Sequence, residues 1–258
     1  MSIKQSYYNA LAGFAPIRLA QMDSVKLMNR VDTKFIFHDS LLREVLLDVR
    51  DDYSVLEIDG KRIFGYESAY LDTPEFAFYK QHHNGKPRRI KLRYRTYKDS
   101  GDVFFEVKKR RNPLRTHKHR VLLEDVTESI GETEQNFLAD CAVLGYGELE
   151  HKLSVEYNRI TLVANDGIER VTIDVGLCFG NSDSRIEQPH LVIVEVKQDR
   201  FSRLSPFVTA LRKHRIKEHS LSKYVLGVVL LHPQLKHNAF KGKLRAIEHI
   251  LGDTHGYY

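Results

Sequence analysis

The chain reads as an α+β protein organised on an eight-stranded antiparallel β-barrel with peripheral and C-terminal helices. Eight segments alternate in side-chain character with a period of two, most of the links between them are short, and one face of nearly every segment is charged. The clearest is Arg89 to Tyr97, where Lys91, Arg93 and Arg95 share one face and Leu92, Tyr94 and Thr96 the other. After the turn Asp99-Ser100-Gly101-Asp102, Glu106 and Lys108 repeat the registration.

Along the chain, Ser6 to Leu27 suggests helical pieces interrupted near Pro16, a cover element over about residues 1–28. Arg30 to Phe37 is a strand with Arg30, Asp32 and Lys34 on its charged face. An amphipathic helix capped at Asp39 or Ser40 follows to Arg50. Glu67 to Leu71 is a short strand, and Asp72-Thr73-Pro74-Glu75 starts a helix over Pro74 to His83. The paired strands Arg88 to Tyr97 and Asp102 to Lys109 come next, then a basic loop to Arg115. The strand Thr116 to Glu124 places Lys118 and Arg120 on one face, and Glu132 to Leu144 forms a helix closed by Gly145. Ser154 to Val163 puts Tyr157 and Arg159 in register, and Arg170 to Val175 aligns Arg170, Thr172 and Asp174. His190 to Lys197 ends in Glu195 and Lys197, and its apolar run Leu191-Val192-Ile193-Val194 implies burial on both faces. Helices open at Ser205-Pro206 and near Ser220 or Ser222, the second stopped by His232-Pro233, and a last amphipathic helix covers Ala239 to Leu251. One domain is expected over residues 1–258, with the barrel core at about 29–232 and the final helix at about 239–252.

Forty basic residues sit among 34 acidic ones for a net charge of +6, which favours a polyanionic partner. Only Cys141 and Cys178 are present, without paired spacing, so neither a disulfide framework nor a zinc site is expected, and a reducing, cytoplasmic setting is. No apolar run reaches the ~18 to 20 residues of a membrane span, and residues 1–28 do not read as a signal peptide. The histidines lack a coherent ligand spacing and read as surface residues.

Closing the strands would bring Lys34, Arg93, Arg95, Lys108, Lys118, Arg120, Arg159, Arg170 and Lys197 to one interior, against Asp32, Glu106, Asp174 and Glu195. An unpaired buried ion costs several kcal/mol, so such an interior is expected to be wet and filled by an anion.

Several segments carry a family resemblance: Ser68-Ala69-Tyr70-Leu71-Asp72-Thr73-Pro74, Lys91-Leu92-Arg93-Tyr94-Arg95, Glu106-Val107-Lys108, Tyr157-Asn158-Arg159, Arg170-Val171-Thr172-Ile173-Asp174, Val194-Glu195-Val196-Lys197 and Ser222-Lys223-Tyr224. Their order resembles that of the polyphosphate polymerase domain of the vacuolar transporter chaperone family, a triphosphate tunnel metalloenzyme. The resemblance implies an ATP-dependent transfer of γ-phosphate to inorganic polyphosphate, assisted by Mn²⁺ or Mg²⁺. It implies catalytic roles for Lys34, Arg93, Arg95, Lys108, Lys118, Arg159 and Arg170, substrate contacts from Arg120, Tyr157, Lys197, Ser222 and Lys223, and metal binding by Glu195. Lys91 reads as rim, and Asp32 and Asp174 as residues that orient neighbouring bases.

Two departures bear on activity. The wider superfamily's Glu-x-Glu-x-Lys is here Arg30-Val31-Asp32-Thr33-Lys34, which moves the expectation from a two-metal hydrolase towards the polymerase. A lysine that the eukaryotic polymerase carries before its Ser-Lys pair is here Ser220. A tunnel phosphohydrolase and a non-catalytic polyphosphate or nucleic-acid binding module remain as alternatives, nucleic acid being disfavoured because the cations converge across many strands.

Overall fold

The computed structural model describes residues 3–22, 31–110, 116–127, 129–200 and 202–252. In chain order the elements are α1 (Ile3–Ala12), β1 (Ala15–Ile17), α2 (Leu19–Met22), β2 (Val31–His38), α3 (Leu42–Val49), β3 (Tyr53–Leu56) and β4 (Phe64–Asp72). Then come α4 (Ala77–His83), β5 (Arg89–Tyr97), β6 (Val103–Arg110), β7 (Thr116–Leu123), α5 (Glu132–Asp140) and β8 (Glu150–Ala164). The chain continues through β9 (Glu169–Gly180), β10 (Arg185–Gln188), β11 (Leu191–Gln198), α6 (Pro206–Lys213), α7 (Lys223–Leu231) and α8 (Lys241–Leu251).

Among the described residues the strands form one 11-stranded sheet whose main path is β2-β11-β9-β8-β4-β5-β6-β7, antiparallel at every step. These eight are the strands expected from the side-chain alternation. The closed barrel, however, is corrected: among the described residues no backbone ladder joins β2 to β7, and the sheet is open. Composition explains why β7 ends the path. His117, Lys118, His119 and Arg120 expose both of its faces, and charged side chains blunt an edge strand against further pairing. The sheet nevertheless curls. Lys118 Nζ of β7 lies 3.6 Å from Asp32 Oδ2 of β2, so side chains span the gap that the backbone leaves.

Helices cover the sheet unevenly. On the convex side α3 and α6 press Val45, Leu46, Phe207 and Leu211 against Phe35, Val194, Val171 and Ile173, and α5 sets Leu138 among Leu92, Phe105 and Val107. On the concave side α7 and α8 pack Val225, Val228, Leu244 and Ile247 against Ile36, Leu153, Phe179 and Ile193. Helices on both faces account for the continuous burial of Leu191 to Val194.

Local differences from the sequence reading have local causes. The interruption expected near Pro16 separates α1 from α2, and it is itself a short strand, β1, which pairs parallel to β3. The helix expected from Pro74 begins only at Ala77, because Phe76 takes a left-handed φ of 59°. Asp72 still caps it, accepting from the N–H groups of Phe78 at 2.8 Å and Tyr79 at 2.9 Å. The helix expected to reach Leu144 stops at Asp140, with Ala142 at φ 51°. Arg30, most of the basic loop 111–115 and the end of the N-terminal cover lie outside the described residues.

At Gly227 helix α7 lies close against the sheet: a Cβ there would stand 2.8 Å from Leu153 Cδ1 and 2.9 Å from Phe179 Cδ1. Gly227→Val is expected to cost about 2 kcal/mol by overpacking and to lower the thermal midpoint by about 5 °C, read by calorimetry. An unchanged midpoint would show that the helix can lift away from β8 and β9.

Candidate functional site

Strand register assembles the site. Across the concave face Lys34 stands opposite Glu195 and Glu195 opposite Thr172, while Asp32, Lys197 and Arg170 form the neighbouring row. Asp174 faces Arg159. On the far side Tyr70, Arg93, Glu106 and Arg120 form one rung, and Lys91, Lys108 and Lys118 the next. The two sides meet at the start of α7. Lys91 Nζ of β5 donates to Ser222 Oγ at 2.6 Å, and Lys223 Nζ forms an ion pair with Asp174 of β9. Four adjacent strands therefore curve around one helix N-terminus, making a cation-lined trough.

Each carboxylate in the trough is engaged by cations. Arg159 grips Asp174 with two bonds, Nε to Oδ1 at 2.6 Å and Nη2 to Oδ2 at 2.9 Å, with Lys223 on the second oxygen. Burial pushes the Asp174 carboxyl up, but Arg159 and Lys223 outweigh it and hold it well below the usual range. Glu106 accepts from Arg93 Nε at 2.7 Å and lies 3.6 Å from Arg95 Nε; against burial, these two arginines lower it as well. Glu195 contacts Lys34 Nζ and sits 2.8 Å from Lys197 Nζ, which also donates to Thr172 Oγ1 at 3.0 Å.

The cations still exceed what these acids neutralise. Arg95 is 8% exposed, and its buried Nε has no hydrogen-bond partner. Burial, with the ammonium groups of Lys197 and Lys108, pushes Lys34 down to about 6, while the nearby Asp32 carboxylate opposes the shift. Burial, Lys108, Arg89, Arg93 and Lys243 push Lys91 down to about 7. Lys197 is driven well below the ordinary lysine value by burial and then by Arg159. At Tyr157 burial raises the phenol, but Arg95, Arg159 and Lys223 overcome it and bring it to about 8. These shifts describe a cavity short of negative charge.

The expected residues Lys34, Arg93, Arg95, Lys108, Lys118, Arg120, Tyr157, Arg159, Arg170, Glu195, Lys197, Ser222 and Lys223 all fall on the trough face or at its helix. Arg120 lies over the Phe104 ring at 4.5 Å, and Lys223 over Tyr157 at 4.4 Å. Lys91 is corrected from rim to trough by its bond to Ser222. Tyr66 and Tyr70 were not singled out from the sequence. Tyr66 stacks on Tyr157 at 5.5 Å beneath Arg159, and Tyr70 OH accepts from Arg93 Nη1 at 3.2 Å. Their period-two spacing in β4 was the available signal. Ser220, which replaces the expected lysine, accepts from Lys243 Nζ of α8 at 2.7 Å.

Two histidine readings change. His82 Nδ1 is buried without a partner rather than on the surface. His38, Asp39 and His190 gather their ligand atoms within 4.8 Å at the far end of β2. Both of their Nδ1 atoms are already engaged, His190 with Asp39 at 3.2 Å and His38 with Ser40 Oγ at 2.9 Å.

For Mn²⁺ or Mg²⁺ the trough offers a sparse donor set. Asp174 and Glu106 are held by arginine forks, whereas Glu195 is bordered by Lys34 and Lys197, and Asp32 lies 3.6 Å from Lys118 Nζ. So few carboxylates fit an ion whose other ligands are phosphate oxygens and water, and do not fit an all-protein cage.

Lys91 supplies a pH test. An unfolded lysine keeps its proton to about pH 10.4, whereas folded Lys91 loses it above about 7. Folding therefore releases a proton between those values, and the stability of the unliganded protein rises with pH across that window. A bound polyanion reverses the shift, so tripolyphosphate binding at pH 8 should take up protons, less so in Lys91→Met. Calorimetry in two buffers of different ionisation enthalpy measures this; equal heats in both would contradict it.

Comparisons with known proteins agree with this architecture. A candidate adenylate cyclase from Bacillus halodurans superposes with a TM-score of 0.50 at 13% identity, covering 77% of this chain and 96% of that one. A candidate adenylyl cyclase from Hippeastrum, for which a dominant triphosphatase activity is described, gives 0.52 at 11% identity, covering 82% and 99%. At such identities the likeness speaks for the fold alone. No match was found among curated protein sequences. The VTC domain, in contrast, matches residues 29–232, the span that holds every strand of the trough, and the chain belongs to the VTC domain family.

Proposed function

We propose that the trough binds ATP and transfers its γ-phosphoryl group to the end of an inorganic polyphosphate chain. The observation that carries this reading is the imbalance at the centre: Glu106, Asp174 and Glu195 are each bracketed by two basic side chains, yet the buried Arg95 Nε, 3.6 Å from Glu106, makes no hydrogen bond. A phosphate oxygen supplies what is missing.

Phosphoryl transfer asks a protein mainly for positioning and for charge placed in advance. Arg93 and Arg159 are already oriented by Glu106 and Asp174, so their free N–H groups meet phosphate without reorganisation. Lys34 and Lys118 neutralise charge on the transferring group, with Lys108, Arg170 and Lys197 along the chain. Ser222 and Lys223 add the N-terminus of a nine-residue helix. A terminal oxygen of the acceptor chain forms the new bond to the γ-phosphorus, the bond to the β–γ bridging oxygen breaks, and ADP leaves with that electron pair. The acceptor oxygen is already anionic, so no general base is assigned. A divalent ion, when bound, contributes Lewis-acid neutralisation, and Glu195 would hold it.

Hydrolysis is the second reading, favoured by the activity described for the Hippeastrum neighbour. The carboxylates weigh against it, since those committed to arginine forks are poorly placed to activate water. The test is incubation with γ-labelled ATP and Mn²⁺, with and without a short polyphosphate primer. Long labelled polymer is expected. Free phosphate alone would establish the hydrolase, and tight polyphosphate binding without turnover the binding module. Arg93→Ala and Glu195→Ala should each lower polymer yield about 10²-fold or more; unchanged yield would remove either residue from the site.

A further inference from the structure

Asp39 differs from the carboxylates of the trough in what surrounds it. Asp174, Glu106 and Glu195 form ion pairs with arginines and lysines, whereas Asp39, only 7% exposed, pairs with the imidazoles of His38 and His190. Strand register creates this arrangement. His38 ends β2 opposite Leu191 of β11, and the Asp39 N–H donates to the His190 carbonyl at 2.9 Å, so the last rung of the ladder sets the three residues side by side. The two imidazole rings stack, with centroids 5.1 Å apart and planes 13° from parallel. His38 lies on the same face of β2 as Lys34 but ~13 Å further along the strand, with the buried Ile36 between them. The cluster is therefore separate from the centre of the trough.

The distances suit a metal ion. His190 Nδ1 stands 3.2 Å from each Asp39 oxygen, and His38 Nδ1 stands 3.3 Å from Oδ1. Those separations lie at the long limit of N–H···O bonds, whose usual length is ~2.9–3.0 Å. With zinc bonds of ~2.0–2.1 Å, the edge of a ligand tetrahedron is ~3.3–3.4 Å. Two such edges are already set, and one donor atom from each of the three residues lies within 4.8 Å of the other two. His38 Nδ1 also meets Ser40, accepting from its N–H at 3.2 Å and lying 2.9 Å from its Oγ. Ser40 is exposed, so water can satisfy both of its groups once the ring nitrogen turns to a metal. The His190 side chain is 53% exposed, which leaves solvent access for a fourth ligand.

We propose that His38, Asp39 and His190 bind one divalent transition-metal ion of the zinc class, with water as the fourth ligand. Two imidazoles and one carboxylate suit Zn²⁺, Co²⁺ or Ni²⁺, whereas Mg²⁺ takes oxygen ligands. The selectivity is thus opposite to that of a phosphate-bound ion at Glu195, and the site stands whether or not the trough makes polymer. When the metal takes His190 Nδ1, the proton on that nitrogen moves to Nε2. The bound ion clamps the end of β2, an outer strand of the open sheet, to the turn between β10 and β11.

Equilibrium dialysis of the chelator-treated full chain against Zn²⁺ with excess Mg²⁺, followed by elemental analysis, tests this. One zinc per chain is expected in the wild type and in Glu195→Gln. His190→Gln should weaken zinc binding by at least the roughly 10- to 100-fold that loss of an outer-shell partner costs, and His38→Gln, as an independent variant, should do the same. Zinc at about 100 times its Kd should raise the thermal midpoint of the wild type by about 5 °C or more and leave that of His190→Gln where it was, with the metal-free midpoints of the two equal. Absence of zinc from the dialysed wild type, its release by Mg²⁺, or equal affinity in the wild type and both histidine variants would overturn the proposal. Loss of zinc in Glu195→Gln would place the ion in the trough, and loss in His117→Ala would assign it to the stacked pair His117 and His119 on β7; either result also overturns it.

Discussion

Asp174 lies between Arg159 and Lys223, Glu106 between Arg93 and Arg95, and Glu195 between Lys34 and Lys197. This bracketing makes a sheet with so many cations on one face possible. Two like charges about 4 Å apart repel by ~4 kcal/mol at an effective dielectric constant of 20, a cost that would open the curl if repeated along every strand. A single carboxylate between two basic side chains removes most of that repulsion, and at Glu106, between Arg93 and Arg95, it leaves a net positive charge. The trough is thereby held together and kept attractive to an anion by the same residues.

Helix α7 converts the arrangement into a single structure. Its apolar body is wedged against β8 and β9, while its first turn reaches both walls through Ser222 to Lys91 and Lys223 to Asp174. Tyr224 OH adds a bond to Asp72, the buried carboxylate that also caps α4. Packing in the core therefore sets where the helix N-terminus stands, and so sets the spacing of charges between β5 and β9.

Much of the fold was legible because strand alternation is local. A period of two put Lys91, Arg93 and Arg95 on one face whatever the rest of the chain did, and all eight principal strands were recognisable in this way. The short strands β1, β3 and β10 were not, since three or four residues carry too little alternation, and one of them contains Pro16. The start of α4 was misplaced because nothing in the composition of residues 72–77 marks the left-handed turn at Phe76. Lys91 was taken for rim because its partner, Ser222, is 131 residues away.

By itself the sequence determined the faces: which side chains point together on each strand, the cationic character of one of them, and the motifs that place the chain with VTC domains. Only the tertiary structure decided that the sheet stays open between β2 and β7, that Asp174, Glu106 and Glu195 each lie between two basic side chains, and that α7 brings Ser222 and Lys223 to the trough. The division follows from range. Side-chain alternation is a property of neighbouring residues, whereas curvature, charge pairing and helix docking depend on contacts between segments far apart in the chain, whose free energies exist only once the core has packed.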